Sequence, residues 1–239
     1  MNYNEFKEEI TNKSNILQIK LNDKQINCLY NFMNMLLEKN KVMNLTGITE
    51  PKEVILKHFI DSLTIAKYIN NNENVIDIGT GAGFPGIPLK IYNSTYEICL
   101  LDSLNKRINF LNEVIRTLNF KNIVTTHGRA EEYGQNKDYR EKYDVAVSRA
   151  VAPLNILLEY MLPFIKLDGR CICMKGNITD EEINNCQNAL KALGGKIEKI
   201  EKFNLANTDN QRTIFIVKKT KNTPKMFPRN PGTPSKKPL

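Results

Sequence analysis

The hydrophobic and polar positions follow two different periods along the chain, and the change comes near residue 73. Between residues 22 and 40, apolar side chains recur at intervals of three and four, which predicts an amphipathic helix. A second helix is predicted to begin at Thr49-Glu50-Pro51, where a capping hydroxyl, an acid and a proline share the first turn, and to run to about Ile69. We therefore expect residues 1–72 to form a helical cap.

Beyond residue 73, short β-rich runs alternate with helical stretches. The runs predicted to form five parallel strands are 75–78, 96–101, 122–126, 143–147 and 170–174, and the helical stretches are 87–91, 104–118, 154–165 and 179–193. This alternation predicts a parallel sheet that is covered on both faces. Two last runs, 196–203 and 213–218, have no room for a crossover helix between them and should pair antiparallel. Residues 73–218 are thus expected to form a Rossmann-like α/β domain, mostly parallel, with a C-terminal antiparallel hairpin.

Composition excludes several classes of protein. Hydrophobic residues make up 41% of the 239 positions and charged residues 25%, which is ordinary globular usage. Because no apolar run approaches the ~20 residues of a membrane span, and residues 1–10 lack an apolar core, we expect neither a membrane protein nor a signal peptide. Five widely spaced cysteines do not suggest a disulfide framework and indicate a reducing, cytoplasmic setting.

Positive charge is concentrated at the C-terminus. The chain carries a formal net charge of +8, and residues 218–239 hold seven of its basic residues and none of its acidic ones. Five of the ten prolines lie in the same segment. We call residues 219–239 the C-terminal arm. Its composition disfavours regular helix or strand and suits contact with a polyanion, the alternative being a solvated, disordered tail.

A glycine-rich loop follows the first predicted strand and reads Asp77-Ile-Gly79-Thr-Gly81-Ala-Gly83-Phe84-Pro-Gly86. Glycines at the carboxyl end of a parallel strand let the backbone approach a ligand closely. The match to a dinucleotide fingerprint is weak, since its first glycine, Gly81, comes three residues after the strand and the Asp77 carboxylate would oppose a pyrophosphate. S-adenosylmethionine has no phosphate and carries a sulfonium and an ammonium, so that Asp77 would favour it. A turn without a ligand and an oxidoreductase remain as alternatives.

A second carboxylate is expected beside this loop. Asp102 ends the next predicted strand, 19 residues after Gly83, where the ribose hydroxyls of a bound nucleoside would lie. No Gly-x-x-x-x-Gly-Lys-Ser/Thr sequence occurs, so a P-loop nucleoside triphosphatase is not supported. The residues alone therefore predict that Asp77, Gly81 and Asp102 belong to an S-adenosylmethionine site.

The loop from Asp77 to Leu89 resembles that of the ribosomal RNA small subunit methyltransferase G family, also called glucose-inhibited division protein B. Further matching segments are Asn44-Leu-Thr46, His58-x-x-Asp61-Ser62, Leu101-Asp-Ser-x-x-Lys-Arg107, His127-Gly-Arg-Ala-Glu131, Ser148-Arg-Ala-Val-Ala152 and the tail that begins at Arg229. The resemblance covers essentially the whole chain. It implies a class I methyltransferase fold and transfer of a methyl group from S-adenosylmethionine to N7 of a guanine in 16S ribosomal RNA or the small ribosomal subunit.

The resemblance also implies particular contacts. The cofactor residues would be Gly79, Phe84, Ala130, Glu131 and Arg149, each at the carboxyl end of a predicted strand. We further expect three cations of the arm to contact the RNA, namely Arg229, Lys236 and Lys237. A surface ion pair is the alternative for Arg149. A non-catalytic RNA-binding module and a methyltransferase for a small molecule or protein are the alternatives for the whole chain.

Missing motifs bear on the target atom. The segment 148–153 lacks the Asn/Asp-Pro-Pro-aromatic turn of enzymes that methylate exocyclic amines, and no cysteine follows a proline as in enzymes that methylate cytosine C5. Guanine N7 has an exposed lone pair and needs no general base, so we predict no catalytic residue. Without a Gly-x-Ser-x-Gly elbow, His58, Asp61 and Ser62 suggest a packing cluster or pocket rim and not a hydrolase triad. No metal-ligand spacing is present, and we expect no metal.

Overall fold

A computed structural model describes residues 1–149 and 151–239 of the chain. The N-terminal segment begins with α1 (Tyr3–Ile16) and α2 (Asp23–Met43), each of which starts with a reciprocal capping box on an asparagine. The structure confirms the helix predicted from residue 22 and extends it by one turn. Helix α1 was not predicted, although its buried Phe6 and Ile10 share one face.

The second predicted helix, 49–69, is real in position but irregular in form. It consists of α3 (Pro51–Val54), a π-helical turn (Ile55–Ile60), α4 (Asp61–Leu63) and a 3₁₀ turn (Ala66–Tyr68). Glu50, and not the predicted Thr49, caps it by accepting the Glu53 amide at 2.8 Å. Nearly every side chain from residue 54 to 66 is buried, so packing on all sides overrides the regular helical period.

The strands of the described residues form one sheet in the order β3-β2-β1-β4-β5-β7-β6. Their bounds are Asn74–Ile78, Glu97–Asp102, Ile123–His127, Tyr143–Arg149, Ile165–Lys175, Gly195–Asn204 and Gln211–Lys219 for β1 to β7. Strands β1 to β5 pair parallel, whereas β7 pairs antiparallel with both β5 and β6. The predicted five parallel strands and terminal hairpin are confirmed. Because Ile78 pairs with Leu101, the carboxyl ends of β1 and β2 lie level at one edge.

Helices connect the parallel strands. Their bounds are Gly86–Tyr92 for α5, Asn105–Thr117 for α6, Ala130–Tyr133 for α7, Leu154–Met161 for α8, Asp180–Asn185 for α9 and Gln187–Leu193 for α10. The short α7 was not predicted, and the helix predicted at 179–193 is divided at Cys186. The helix predicted to reach Ile165 ends earlier because Pro163 lies in a 3₁₀ turn, and β5 begins at Ile165.

The two faces of the sheet bury different apolar clusters. Leu100 and Val145 face the helical cap, where the rings of Phe32 and Phe59 lie 5.8 Å apart. Cys171 and Cys173 face the opposite side with α8 and α10 and are buried. The cap therefore shares its core with the sheet. Among the described residues, no helix is long and apolar enough to cross a membrane.

The C-terminal arm folds back on the body of the protein. Arg140 donates to the carbonyls of Thr223 and Phe227, at 2.7 Å each. Residues Thr233–Lys236 form a single helical turn, α11, which packs against α8. The structure thus contradicts a solvated, disordered tail and, for this one turn, the expectation that the arm has no helix. The packing comes from polar contacts that its composition does not reveal.

Candidate cofactor site

The glycine loop after β1 adopts a backbone that only glycine adopts readily. Gly79 and Gly81 have φ of 68° and 62°, in the left-handed region. A Cβ on Gly79 would lie 2.8 Å from Val151 Cγ2, so that position also lacks room for a side chain. The loop therefore presents bare backbone at the carboxyl end of β1, as the sequence predicted.

Asp77 lies beneath this loop. Its side chain is fully buried, and Oδ2 accepts hydrogen bonds from Thr80 Oγ1 at 2.7 Å and from the Gly86 amide at 2.9 Å. Oδ1 has no hydrogen-bond partner within the part of the chain that the structure describes. Burial raises the pKa of Asp77 to about 7. Asp77 thus holds the loop in shape from behind the cavity wall, and its predicted contact with a cofactor remains a prediction.

Asp102 ends β2 and joins the loop to the next strand. It is 2% exposed; Oδ2 accepts from the Gly81 amide and Oδ1 from the Leu104 amide, each at 2.9 Å. Arg107 Nη1 donates to Oδ2 at 3.2 Å. Arg107 lies in a segment noted for its resemblance, but its role was missed, because only the folded α6 brings it back to Asp102.

Two adjoining cavities of about 430 and 200 Å³ lie at this edge of the sheet. They share Gly79, Asp102, Ser103 and Val151. Of the predicted cofactor residues, the larger cavity is also lined by Gly81, Phe84 and Arg149, and the smaller by Ala130 and Glu131. The structure therefore brings seven of the eight predicted residues to one continuous crevice, with Asp77 enclosed behind it.

Arg149 ties the crevice to the helical cap. Its Nη1 donates to the Lys57 carbonyl at 2.8 Å, its Nη2 donates to His58 Nδ1 at 3.0 Å, and its guanidinium lies 5.0 Å from the Phe84 ring centroid. Nη1 also lies 3.5 Å from Oδ2 of Asp61. The alternative of a surface ion pair is therefore wrong, since the ion pair that Arg149 makes is enclosed.

The polar residues of the π-helical turn and α4 belong to the same network. Asp61 is 4% exposed, and its Oδ1 accepts from Arg212 Nε at 2.9 Å. Burial, with the nearby guanidinium of Arg149, lowers the pKa of His58 to about 3, so the imidazole is neutral. Ser62 Oγ donates to the His58 carbonyl. The cluster is thus packing on one side and cavity rim on the other, as predicted, and not a triad.

The comparisons with known proteins agree with this geometry. The family model for rRNA small subunit methyltransferase G matches residues 25–214. This chain belongs to that family. A ribosomal RNA small subunit methyltransferase G of Acetivibrio thermocellus is 53% identical over 222 residues, which cover 92% of this chain and 91% of that protein. Its counterpart in Alkaliphilus metalliredigens is 49% identical over 225 residues, covering 93% and 94%. The resemblance noted from the sequence is confirmed.

Solved structures share the fold of this methyltransferase G family member at low sequence identity. TYW2 of M. jannaschii, in complex with AdoMet, has a TM-score of 0.53 at 16% identity over 66% of this chain and 73% of that one. The YcgJ protein of Bacillus subtilis has a TM-score of 0.54 at 11% identity over 69% and 100%. With the sheet order, this likeness confirms the predicted Rossmann-like class I methyltransferase fold.

The arm of this family member contacts two residues that line the smaller cavity. Glu131 Oε1 accepts from the Gly232 amide at 3.1 Å, and the Tyr160 hydroxyl lies 3.0 Å from Ser235 Oγ. Glu131 and Tyr160 both line that cavity. Sequence reasoning missed this contact, because Glu131 and Gly232 are a hundred residues apart.

The three arm cations predicted to contact RNA lie in different surroundings. Arg229 donates to the fully buried Glu159 through Nε at 2.9 Å and Nη2 at 2.6 Å. Lys236 and Lys237 are exposed. Arg229 therefore has a structural partner, and RNA contact by all three residues stays a prediction. Among the described residues, no group of His, Cys, Asp and Glu is placed to hold a metal ion.

Proposed function

We propose that this protein transfers the methyl group of S-adenosylmethionine to N7 of a guanine in 16S ribosomal RNA, as naked RNA or within the small ribosomal subunit, in the cytoplasm. The names of its relatives support ribosomal RNA as the substrate. The two alternatives, a non-catalytic RNA-binding module and a methyltransferase for a small molecule or protein, are not favoured by any contact of the site.

The observation that carries the proposal is that amides of the glycine loop are hydrogen-bonded within the protein. A pyrophosphate needs free backbone N–H groups at such a loop. Here the amides of Gly79 and Thr80 donate to the Leu101 carbonyl, those of Gly83 and Phe84 donate to the Thr80 carbonyl, and that of Gly81 donates to Asp102. The hydrogen bonds of these five amides within the protein disfavour a diphosphate and favour a nucleoside without one.

The residues of the crevice fit S-adenosylmethionine. Together the cavities hold a volume typical of small-ligand sites, and they extend along the carboxyl ends of the first four strands. Asp102 retains lone pairs beside its amide contacts, with which it would accept from the ribose hydroxyls. Ala130 and Glu131 would border the adenine, whereas Gly79, Gly81 and Arg149 would border the methionyl end. When bound, the cofactor supplies a methyl group activated on its sulfonium.

The work left to the protein is alignment. Guanine N7 attacks with a lone pair that needs no deprotonation, so the barrier is lowered by holding N7 and the methyl group in line at close range. The cap and the sheet would hold the two reactants together, because Arg149 at the end of β4 is hydrogen-bonded to His58 of the cap. No residue is assigned as a general base.

The test is methyl transfer to RNA from a strain that lacks the endogenous activity. Purified protein and labelled S-adenosylmethionine should label 16S ribosomal RNA, and reverse transcription after N7-specific cleavage should stop at one guanine. A Gly79→Ala variant, which places a Cβ in the crevice, serves as the inactive control. Absence of label, or label on an atom other than N7, would contradict the proposal.

A further inference from the structure

Thr46 is fixed on the wall of the larger cavity. It follows α2, and both its backbone groups bind one side chain: its amide donates to Asn40 Oδ1 and its carbonyl accepts from Asn40 Nδ2, each at 2.9 Å. Thr46 lines the cavity with Gly79 and Arg149. The position of this hydroxyl is therefore set by the cap and does not depend on a bound ligand.

The hydrogen bonds around Thr46 Oγ1 determine where its proton points. Oγ1 accepts from the Ile48 amide at 3.1 Å and lies 2.8 Å from His58 Nε2. Because a guanidinium only donates, the bond from Arg149 to His58 Nδ1 requires the imidazole proton to be on Nε2, which then donates to Thr46. Both lone pairs of the hydroxyl are thus used.

The hydroxyl proton must therefore be donated elsewhere. Thr46 Oγ1 has no acceptor for it within residues 1–149 and 151–239. The pKa of His58, lowered to about 3, keeps the imidazole neutral across the ordinary pH range. The hydrogen bonds therefore keep one direction, from Arg149 to His58 and from His58 to Thr46. A chain of hydrogen bonds thus runs from Arg149 through His58 to Thr46. It ends in the Thr46 O–H group on the wall of the cavity.

The charge of this wall selects the acceptor. Of the charged side chains that line this cavity, Arg107 is paired with Asp102, whereas Arg149 shares the Asp61 carboxylate with Arg212 and lies near the buried Asp77. The Arg149 guanidinium, which donates to His58 beside Thr46, favours an anion at this part of the wall. The carboxylate is the anionic group of S-adenosylmethionine, and the methionyl end is the part expected at the glycine loop.

We propose that Thr46 donates a hydrogen bond to the methionyl carboxylate of the cofactor and that His58 and Arg149 orient this donor. The inference rests on the proposed cofactor and adds to it a binding residue on the cap. It makes the helical cap part of the cofactor site, so that the cap and the sheet both contact one ligand.

The test is calorimetric binding of S-adenosylmethionine and of its decarboxylated analogue, which keeps the sulfonium and the amine. A hydrogen bond to a charged group is strong enough that Thr46→Val should weaken binding of S-adenosylmethionine about ten- to a hundredfold. The same variant should change binding of the decarboxylated analogue less than about twofold, a change too small for a lost charged hydrogen bond. Thr46→Ser, which keeps the hydroxyl, is the matched control and should bind nearly as the wild type does.

Several outcomes would overturn the inference. Equal weakening of both ligands in Thr46→Val would mean a structural role, and unchanged affinity for S-adenosylmethionine with weaker RNA binding would place the hydroxyl against RNA. If Thr46→Val does not fold, the wild type still decides, because equal affinity for the two ligands would exclude a carboxylate contact. Failure of the wild type to bind S-adenosylmethionine would overturn the proposed function and this inference with it.

Discussion

Removal of the Arg229 side chain would test how the C-terminal arm is held. Arg229 places three donors on Glu159: its backbone amide and Nε at 2.8 and 2.9 Å from Oε1, and Nη2 at 2.6 Å from Oε2. Glu159 is fully buried. In Arg229→Ala the carboxylate loses its charge partner, and breaking a buried pair in this way costs about 3–5 kcal/mol.

The lower end of that range is the better expectation. The arm is terminal and can detach, which would let water reach Glu159 and limit the loss to about 3 kcal/mol. For a chain of this length, each kcal/mol shifts the Tm by about 2–4 °C, so we expect a decrease of about 6–12 °C. Lys225→Ala removes an exposed cation of the same arm and should change the Tm by less than about 1 °C, as expected for a surface site.

Two measurements check this prediction. Calorimetric unfolding gives the Tm, and hydrogen exchange of the arm amides, that of Gly232 above all, reports whether the arm has detached. Equal Tm values for Arg229→Ala and Lys225→Ala, with unchanged exchange in the arm, would refute the reasoning, because Glu159 would then not depend on Arg229.

Three further predictions concern the site and the arm. Gly79→Ala should keep the fold but weaken S-adenosylmethionine binding at least tenfold by calorimetry, because its Cβ would meet Val151; unchanged affinity would contradict this. Asp77 has a pKa of about 7 when folded, above its unfolded value of about 4, so its contribution to stability is present at low pH and lost as pH rises through 7. Thermal unfolding at several pH values should show this loss relative to Asp77→Asn, and parallel curves would exclude it. Replacing Lys236 and Lys237 by alanine should weaken RNA binding and lower the slope of log affinity against log salt by about 1.5, and an unchanged slope would leave the arm a structural role only.

The fold and the loop could be predicted because their signals are local. The period of apolar residues changes where β1 begins. Asp77 and Asp102 lie at the carboxyl ends of their strands, and Gly79 follows β1 directly. Parallel pairing then brings strand ends together without further information. For this reason seven of the eight predicted site residues line one crevice, although the sequence analysis missed helix α1 and the irregular turn at His58.

The contacts that complete the site could not be predicted, because they join distant segments. Thr46 and His58 lie in the cap, whereas Arg149 ends β4. The hydrogen bonds that join them form only when the cap packs on the sheet. In the same way, Glu159 and Arg229 are 70 residues apart. The composition reveals the positive charge of the arm. It does not reveal the buried Glu159 that binds Arg229, because in the sequence Glu159 is indistinguishable from an exposed residue of a helix.

The nature of the ligand at the glycine loop can be measured directly. Crystals of the protein would be soaked with S-adenosylmethionine and NADH together, since both contain adenosine but only NADH contains a diphosphate. The account predicts electron density for a sulfonium nucleoside along Gly79, Asp102 and Glu131, with the loop amides still bonded to the protein. Density for a diphosphate in that crevice, and none for sulfur, would contradict it.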